Sequence, residues 1–157
     1  MEGQGEILMT DGGPNLDKWD IKLTTYEQKM SFTITMLKQI ILSLKKIHNL
    51  GYTHGDLKLA NICARQSHDG SFKFTLIDLG MSAKLAQFGD FYANKHFRGN
   101  LMFASIDHIV RKRASQLDDL YSLLCVAYYF VMDKLPWTDY IEELHANYGH
   151  DSKRNFY

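Results

Sequence analysis

The segment HGDLKLAN, residues 54–61, brings together side chains that are suited to chemistry. Asp56 offers a carboxylate that could accept a proton from an attacking hydroxyl group, and Lys58 adds a positive charge two residues later. Asn61 and the more distant Asp78 supply hard oxygen atoms, which Mg²⁺ prefers where water and phosphates complete its coordination. Phosphoryl transfer needs this set, because its barrier is lowered by positioning, by metal ions and by charges that neutralise the moving phosphoryl group.

A long amphipathic helix is predicted to lead the chain to this segment. Between Met30 and Leu50 the apolar residues recur at steps of three and four, and Gly51 follows where a C-cap glycine is expected. The periodic residues are Ile34, Leu37, Ile41, Leu44 and Ile47. The helix would end shortly before His54.

A β-hairpin is predicted directly after the catalytic candidates. The strand-like runs LANICA and FKFTLID are joined by RQSHDGS, whose Asp-Gly pair is a strong turn signal. In an antiparallel hairpin the start of the first strand lies beside the end of the second. We therefore expect Asn61 and Asp78 to lie at the same end of the hairpin.

The remaining segments predict a strand, a loop and a second long helix. EILMT, residues 6–10, is typical of a short strand before a turn at DGGP. Residues 80–105 lack sustained periodicity, which predicts a long surface loop. SQLDDLYSLLCVAYYFVMDKLPW begins with an S-x-x-D capping pattern at Ser115 and Asp118 and is then apolar on nearly every face until Pro136. Such a helix is typical of the centre of a fold.

The composition is that of one globular domain, with 45% hydrophobic and 23% charged residues over 157 positions. Lys plus Arg and Asp plus Glu both number 18, so no net charge would recruit nucleic acid or an anionic membrane. Cys63 and Cys125 lie in apolar segments, a pattern typical of buried thiols in an intracellular protein. The sequence predicts neither a signal peptide nor a membrane anchor, and it does not distinguish cytoplasm from nucleus.

These segments resemble a protein kinase. HGDLKLAN is similar to the H-R-D-L-x-x-x-N catalytic loop, and DLG at Asp78 to Gly80 is similar to the D-F-G metal-binding motif that follows it. GPNLDKW, GNLMFASIDH, LDDLYSLL and LPW resemble segments of the casein kinase 1 group, whereas HGD, SID and DSK resemble the vaccinia-related kinases within that group. The resemblance implies an α+β, protein kinase-like fold. Residues 1–157 would be a partial kinase domain, comprising the hinge, the catalytic loop, the activation segment and a central buried helix. It would be a mostly helical C-terminal lobe with a small β-hairpin, and the N-terminal lobe would be absent.

The resemblance also implies a serine/threonine protein kinase that uses ATP and Mg²⁺ and acts on protein substrates. By matching positions, Asp56 would be the catalytic base, and Lys58 would screen the transferred phosphate. Asn61 and Asp78 would bind Mg²⁺, and backbone groups from Thr10 to Gly12 would hold adenine.

Two further positions matter in this resemblance. Asp119 would brace the catalytic loop from the central helix. Gly55 replaces the Arg that, in many kinases, pairs with a phosphorylated activation loop, which implies a kinase that is not switched on by that route.

The sequence also departs from the family pattern. Met102 stands where casein kinase 1 enzymes carry an Arg that helps to read acidic or primed substrates, and Asn100 replaces their Thr. The upstream Gly-rich loop, strand Lys and helix Glu of a kinase are not found in this chain. We therefore expect the isolated 157-residue chain to have negligible kinase activity.

Two other interpretations stay open. The chain could be an inactive kinase remnant that acts as a binding module, because adenine would be held from one side only and the phosphates would be open to water. It could also be a small-molecule phosphotransferase of the aminoglycoside or choline kinase type, since those families also carry H-G-D followed by Asn and then an I-D motif.

Overall fold

The computed structural model describes residues 11–19, 22–85 and 96–152. The strand predicted at residues 6–10, and Thr10 with it, lie outside these ranges. Within them, the helices are α1 (Tyr26–Asn49), α2 (Ile106–Arg111), α3 (Gln116–Met132) and α4 (Thr138–Ser152). The strands are β1 (Tyr52–Thr53), β2 (Ile62–Gln66), β3 (Phe72–Leu76) and β4 (Ala83–Lys84), and a 3-10 turn covers Leu59–Asn61.

Helix α1 begins and ends at local signals in the sequence. Thr25 and Gln28 form a capping box at its start. At its end Gly51 adopts a left-handed conformation (φ +81°), and its N–H donates to the carbonyl of His48 at 2.9 Å. The predicted helix and its C-cap glycine are thereby confirmed, although the helix starts four residues earlier than the apolar periodicity indicated.

The core face of α1 follows a spacing of four. Phe32, Met36, Ile40 and Leu44 are all buried. Ile34 and Ile41, which belong to the apolar periodicity, are 44% and 45% exposed. The sequence contains two apolar stripes on this helix, and only packing against β3 and α3 selects one of them.

Strands β2 and β3 form the predicted antiparallel hairpin, with Ile62 opposite Leu76 and Gln66 opposite Phe72. The turn uses the Asp-Gly pair, and Gly70 is left-handed at φ +81°. The side chain of Gln39 on α1 bonds both ways with the free edge of β3: its Nε2 donates to the carbonyl of Phe72 at 2.8 Å, and its Oε1 accepts from the N–H of Phe74 at 2.9 Å. These two hydrogen bonds hold the hairpin against α1.

The segment that follows the DGGP turn pairs with the other edge of β2. The N–H of Leu16 donates to the carbonyl of Ile62 at 2.8 Å, and the N–H of Ala64 donates to the carbonyl of Pro14 at 3.0 Å. Residues 14–16 therefore form a short antiparallel bridge to β2, with Asn15 opposite Cys63.

Two elements lie inside or beside the region predicted as a long loop. Strand β4 pairs with β1 through Tyr52 opposite Lys84 and Thr53 opposite Ala83, and α2 begins at its N-cap Ser105. The loop prediction was therefore wrong at β4, because a two-residue strand has no periodicity and exists only through its distant partner. Residues 86–95 of the predicted loop lie outside the described ranges.

Helix α3 is capped as predicted but is not buried on every face. Ser115 and Asp118 form its capping box, and the helix ends at Met132, where Asp133 is left-handed (φ +63°) before Pro136 is reached. One side packs on α1, with Phe130 stacked on Phe32 at a centroid distance of 5.0 Å. The other side exposes a stripe of large apolar residues: Leu117, Tyr121, Leu124, Tyr128 and Met132. The prediction of a helix buried all round was wrong for this stripe.

None of the helices within the described residues combines the length and apolarity needed to cross a bilayer.

Candidate active site

The loop after β1 is anchored from below by Asp119 of α3. Its Oδ1 accepts a hydrogen bond from the N–H of Gly55, and its Oδ2 accepts one from the N–H of His54, both at 2.8 Å. The Nε2 of His48, in the last turn of α1, donates to the same Oδ2 at 2.8 Å. Asp119 is only 2% exposed, so its charge is matched by three donors inside the protein. The predicted brace is confirmed.

The neighbouring Asp118 holds the start of α3 to α2. Its side chain accepts hydrogen bonds from the hydroxyl groups of Ser115 and Ser105. Burial acts to raise the pKa of Asp118, but these hydrogen bonds outweigh burial and hold that pKa below its usual value. Asp118 therefore caps α3, as predicted, and also ties α2 to it.

Asp56 is buried, with only 6% of its surface exposed, and its two carboxylate oxygens differ in their hydrogen bonding. Oδ2 accepts from Lys58 Nζ at 2.7 Å and from Asn61 Nδ2 at 3.1 Å. Asn61 Nδ2 also donates to the backbone carbonyl of Asp56 at 2.8 Å. Oδ1 has no hydrogen-bond partner among the described residues. A buried carboxylate oxygen without a donor is costly and is suited to accept a hydrogen bond from a hydroxyl group that enters the site.

Asn61 and Asp78 lie at one end of the hairpin, as predicted. The carbonyl of Asn61 accepts from the N–H of Ile77 at 2.9 Å, so Asp78 follows directly after the last hydrogen bond of the ladder. Asp78 is exposed and left-handed (φ +64°), and its Oδ1 accepts from the N–H of Gly80 at 3.0 Å. Because Asn61 Nδ2 donates to Asp56, Oδ1 is the remaining acceptor of the Asn61 side chain.

His54 lies between these residues and is fully buried. Its Nε2 donates to the carbonyl of Ile77 at 3.1 Å, and its Nδ1 accepts from the N–H of Asp56 at 3.3 Å. Since both ring nitrogens bond to the backbone, His54 links the catalytic loop to the residue before Asp78 and has no nitrogen left for proton transfer.

Gly12 packs closely on the hairpin. A Cβ at this position would lie 3.0 Å from the Cβ of Cys63 and 3.3 Å from that of Thr75. Burial raises the pKa of the Cys63 thiol, and the nearby Asp11 carboxylate raises it further. Cys63 and Cys125 are both buried free thiols, as the sequence predicted.

Two histidines of this region were missed in the sequence. His48 bonds to Asp119, and the buried His108 of α2 packs edge-on against Phe97 at a centroid distance of 4.9 Å. The sequence offered only a weak signal for His48: it lies in the last turn of the predicted helix, close along the chain to the loop at residues 54–61. His108 offered none, since its partners come from distant segments.

Across the described ranges, no group of three or more His, Cys, Asp or Glu side chains could hold a metal ion. An open groove of about 580 Å³ lies at the opposite end of the hairpin, between Trp19, Phe32 and Phe72, and does not include the catalytic candidates.

Comparison with known proteins agrees with this geometry. The protein kinase domain family matches residues 12–154. The chain is 31% identical over 149 residues to the casein kinase 1-like protein HD16 of Oryza sativa subsp. japonica, covering 88% of this chain and 20% of that protein. It is 30% identical over 115 residues to a Caenorhabditis elegans protein named as a casein kinase I, covering 71% of this chain and 33% of that protein. It is 32% identical over 126 residues to a fowlpox virus protein named as a serine/threonine-protein kinase, covering 74% and 40%.

The chain therefore spans between 20% and 40% of the length of these relatives. The family match extends from the turn at Gly12 to the last turns of α4, and so includes the catalytic loop, the hairpin and α3. The predicted α+β, protein kinase-like fold, a mostly helical lobe with a small hairpin, is confirmed. With nearly all of its length matched in this way, the chain belongs to the protein kinase family.

Proposed function

We propose that residues 1–157 are part of a serine/threonine protein kinase domain of the casein kinase 1 group, which transfers the γ-phosphate of ATP to hydroxyl groups of protein substrates. The observation that carries this proposal is Asp56: Lys58 and Asn61 hold one oxygen, while the other is buried and has no donor among the residues that the structure describes. The names of the rice and nematode relatives support the group.

Asp56 is the proposed catalytic base. Its Oδ2 is fixed by two donors, so the side chain cannot rotate freely, and Oδ1 is presented to an incoming hydroxyl group. Lys58 lies beside this carboxylate and is partly exposed, with 29% of its side-chain surface accessible. Its positive charge is thus placed to neutralise charge that develops on the transferred phosphoryl group.

Asn61 and Asp78 are the proposed Mg²⁺ ligands. Oδ1 of Asn61 and the exposed carboxylate of Asp78 supply hard oxygen atoms at the same end of the hairpin. Two such side chains suit a Mg²⁺ ion whose coordination is completed by phosphates and water. When bound, ATP and Mg²⁺ would supply the phosphoryl group and part of its charge neutralisation. Gly12, packed on the hairpin, would contribute backbone to the adenine site together with Thr10, which lies outside the described residues.

Nucleotide binding is the first test of this proposal. We expect calorimetric titration with ADP to show binding that requires Mg²⁺, because the Asp78 carboxylate and the phosphates are both negatively charged and need a cation between them. Asp78→Asn should weaken ADP binding in the presence of Mg²⁺ to the level that the wild type shows without Mg²⁺. Asp69→Asn, in the exposed turn at the other end of the hairpin, is the matched control and should bind like the wild type. ADP binding that is the same with and without Mg²⁺, or the same in Asp78→Asn as in the wild type, would overturn the proposed site.

Transfer is the second test. Because the isolated chain is expected to turn over negligibly, transfer is sought in a single turnover, with the chain in excess over γ-labelled ATP. We expect the wild type to transfer label to casein, and Asp56→Asn to transfer at least about 100-fold less while it still binds Mg²⁺-ADP. That result would support the proposed reaction. Label on an aminoglycoside or choline instead would make the chain a small-molecule phosphotransferase. Binding without any transfer would assign it to the inactive remnants.

A further inference from the structure

Three backbone segments meet at Gly55. Gly55 is left-handed (φ +79°), and a Cβ built on it would lie 2.8 Å from the carbonyl oxygen of Met81, closer than real Cβ atoms come. On the other side, a Cβ on Gly99 (φ +134°) would lie 2.9 Å from the carbonyl oxygen of Gly55. The obstructing atoms are backbone carbonyls, which cannot turn aside as the end of a flexible side chain can.

Met81 and Gly99 belong to the two ends of the stretch between Asp78 and α2. The first end is also held by the pairing of β4 with β1, and by the N–H of Leu85, which donates to the carbonyl of Gly51 at 2.7 Å. The contact of Met81 with Gly55 therefore adds to two nearby backbone contacts: the β1–β4 pairing and the Leu85–Gly51 hydrogen bond.

The second end packs on α2. The ring of His108 lies 3.3 Å from the Cβ position of Gly99 and contacts the ring of Phe97. Helix α2 is in turn tied to α3, because its N-cap Ser105 bonds to Asp118. Asp119 of α3 also accepts a hydrogen bond from Gly55. Helix α3 therefore holds Gly55 directly and, through α2, the segment that contains Gly99.

We propose that Gly55 and Gly99 are positioning residues whose missing side chains let both ends of this stretch dock directly, backbone on backbone, against the catalytic loop. The loop conformation that presents Asp56 is then set by this packing and by Asp119 together. This inference deepens the proposed function, and its kinetic meaning rests on that proposal, whereas the docking itself does not.

Three glycine-to-alanine variants separate docking from backbone strain. Gly55, Gly51 and Gly70 have nearly equal φ angles of +79°, +81° and +81°, so alanine carries a similar conformational penalty at each position. Nothing lies within 4 Å of a Cβ at Gly51 or Gly70. Gly70→Ala, far from the loop, is the primary control, and Gly51→Ala is the second.

The readout is amide hydrogen exchange without nucleotide. We expect Gly55→Ala to raise the exchange rates of residues 81–85 by about tenfold or more over those in Gly70→Ala, because a Cβ displaces Met81. We expect Gly99→Ala to do the same at residues 97–101, on the other side of the loop. The urea midpoint of Gly55→Ala should also fall further than those of the two control variants.

Exchange rates in Gly55→Ala and Gly99→Ala equal to those in Gly70→Ala would overturn the inference. Should Gly55→Ala fail to fold while Gly51→Ala and Gly70→Ala fold, that loss supports the inference, because the three positions share nearly the same φ and only the Cβ at Gly55 meets a carbonyl. Gly99→Ala is judged by where exchange rises, at residues 97–101, because the two control glycines do not share its φ of +134°. The proposed function is judged separately by Mg²⁺-ADP binding. If the wild type binds no Mg²⁺-ADP but the two variants show the expected rise in amide exchange, the proposed function is refuted and the docking inference is supported.

Discussion

At the scale of single residues, the loop of residues 54–61 is held by hydrogen bonds that its backbone donates to a carboxylate of α3. Asp119 accepts from two backbone N–H groups of the loop and from His48 of α1. Those donors come from α1 and from the segment between β1 and the 3-10 turn, so one carboxylate links three parts of the chain. Such a buried, fully satisfied carboxylate is costly to alter, because each lost acceptor leaves a donor unpaired.

We predict that Asp119→Asn lowers the free energy of unfolding by roughly 2–3 kcal/mol, because the amide has one acceptor oxygen and its NH₂ group would face a donor. Urea denaturation followed by circular dichroism measures this change. Asp133→Asn is the control: its side chain is 79% exposed, its left-handed backbone suits Asn, and its surface ion pair with Lys29 contributes at most about 1 kcal/mol. A midpoint in Asp119→Asn equal to that of the control would contradict the brace.

His108 predicts a pH dependence of stability. Burial lowers its pKa below the usual 6.5, while Asp118, Asp119 and Asp56 act less strongly in the opposite direction. The unfolded chain therefore binds a proton near pH 6.5 that the folded chain does not yet bind, so stability is full above that pH and falls as pH drops below it. The lowered pKa of Asp118 acts only below about 3.8, outside this window.

The measurement is the free energy of unfolding between pH 7.5 and pH 5. We expect the wild type to lose stability over this range and His108→Gln to lose less, because the titrating ring is gone. His68→Gln, in the exposed hairpin turn, should keep the wild-type slope. An unchanged slope in His108→Gln would show that another group is responsible.

At the scale of elements, α3 shows how one apolar helix serves two environments. Its buried side contacts α1 and carries Asp119 to the catalytic loop. Its other side exposes the stripe of apolar residues described above. Periodicity cannot separate the two sides, because apolar residues occupy both. On the buried side, Asp119 accepts hydrogen bonds from the loop, whereas Asp118 bonds to Ser105 and Ser115.

We predict opposite outcomes for one substitution at two adjacent positions of α3. Leu123 is 1% exposed and Leu124 is 63% exposed. Leu123→Ala should cost about 2–5 kcal/mol of unfolding free energy through lost burial and a cavity, whereas Leu124→Ala should change it by less than about 0.5 kcal/mol. Urea denaturation of both variants measures the difference. Similar losses at both positions would mean that the exposed stripe is covered in solution.

At the scale of the whole molecule, one apolar core joins α1, the hairpin and α3. Trp19 packs at the hairpin side of this core, against Phe32 and Phe72. Trp137 packs at the other side, where its Nε1 donates to the carbonyl of Met102 at 2.9 Å. The two tryptophans therefore report on opposite ends of a single cluster.

We predict that the chain unfolds in one cooperative transition. In Trp19→Phe and in Trp137→Phe, the fluorescence of the remaining tryptophan and the far-ultraviolet circular dichroism should give the same urea midpoint within each variant, because both probes sit on one core. The comparison within a variant removes the effect of the substitution itself. Midpoints that differ between the two probes would indicate two separately folding parts.

Part of the fold and site could be predicted from local signals. The catalytic candidates stand in one short segment, and a hairpin joined by Asp69 and Gly70 suffices to bring Asn61 and Asp78 to one end. The cap at Ser115 is likewise local.

The sequence by itself determined where α1, the hairpin and α3 form, because periodicity, caps and turn residues act within a few positions. Tertiary structure alone decided which stripe of α1 is buried, that β1 pairs with β4, that α3 keeps one face exposed, and that Gly55 fits beneath Met81. Each of these depends on contacts between segments that are distant along the chain. Such contacts leave no local pattern, since their energy is set by the shape and polarity of a partner that only the folded chain supplies.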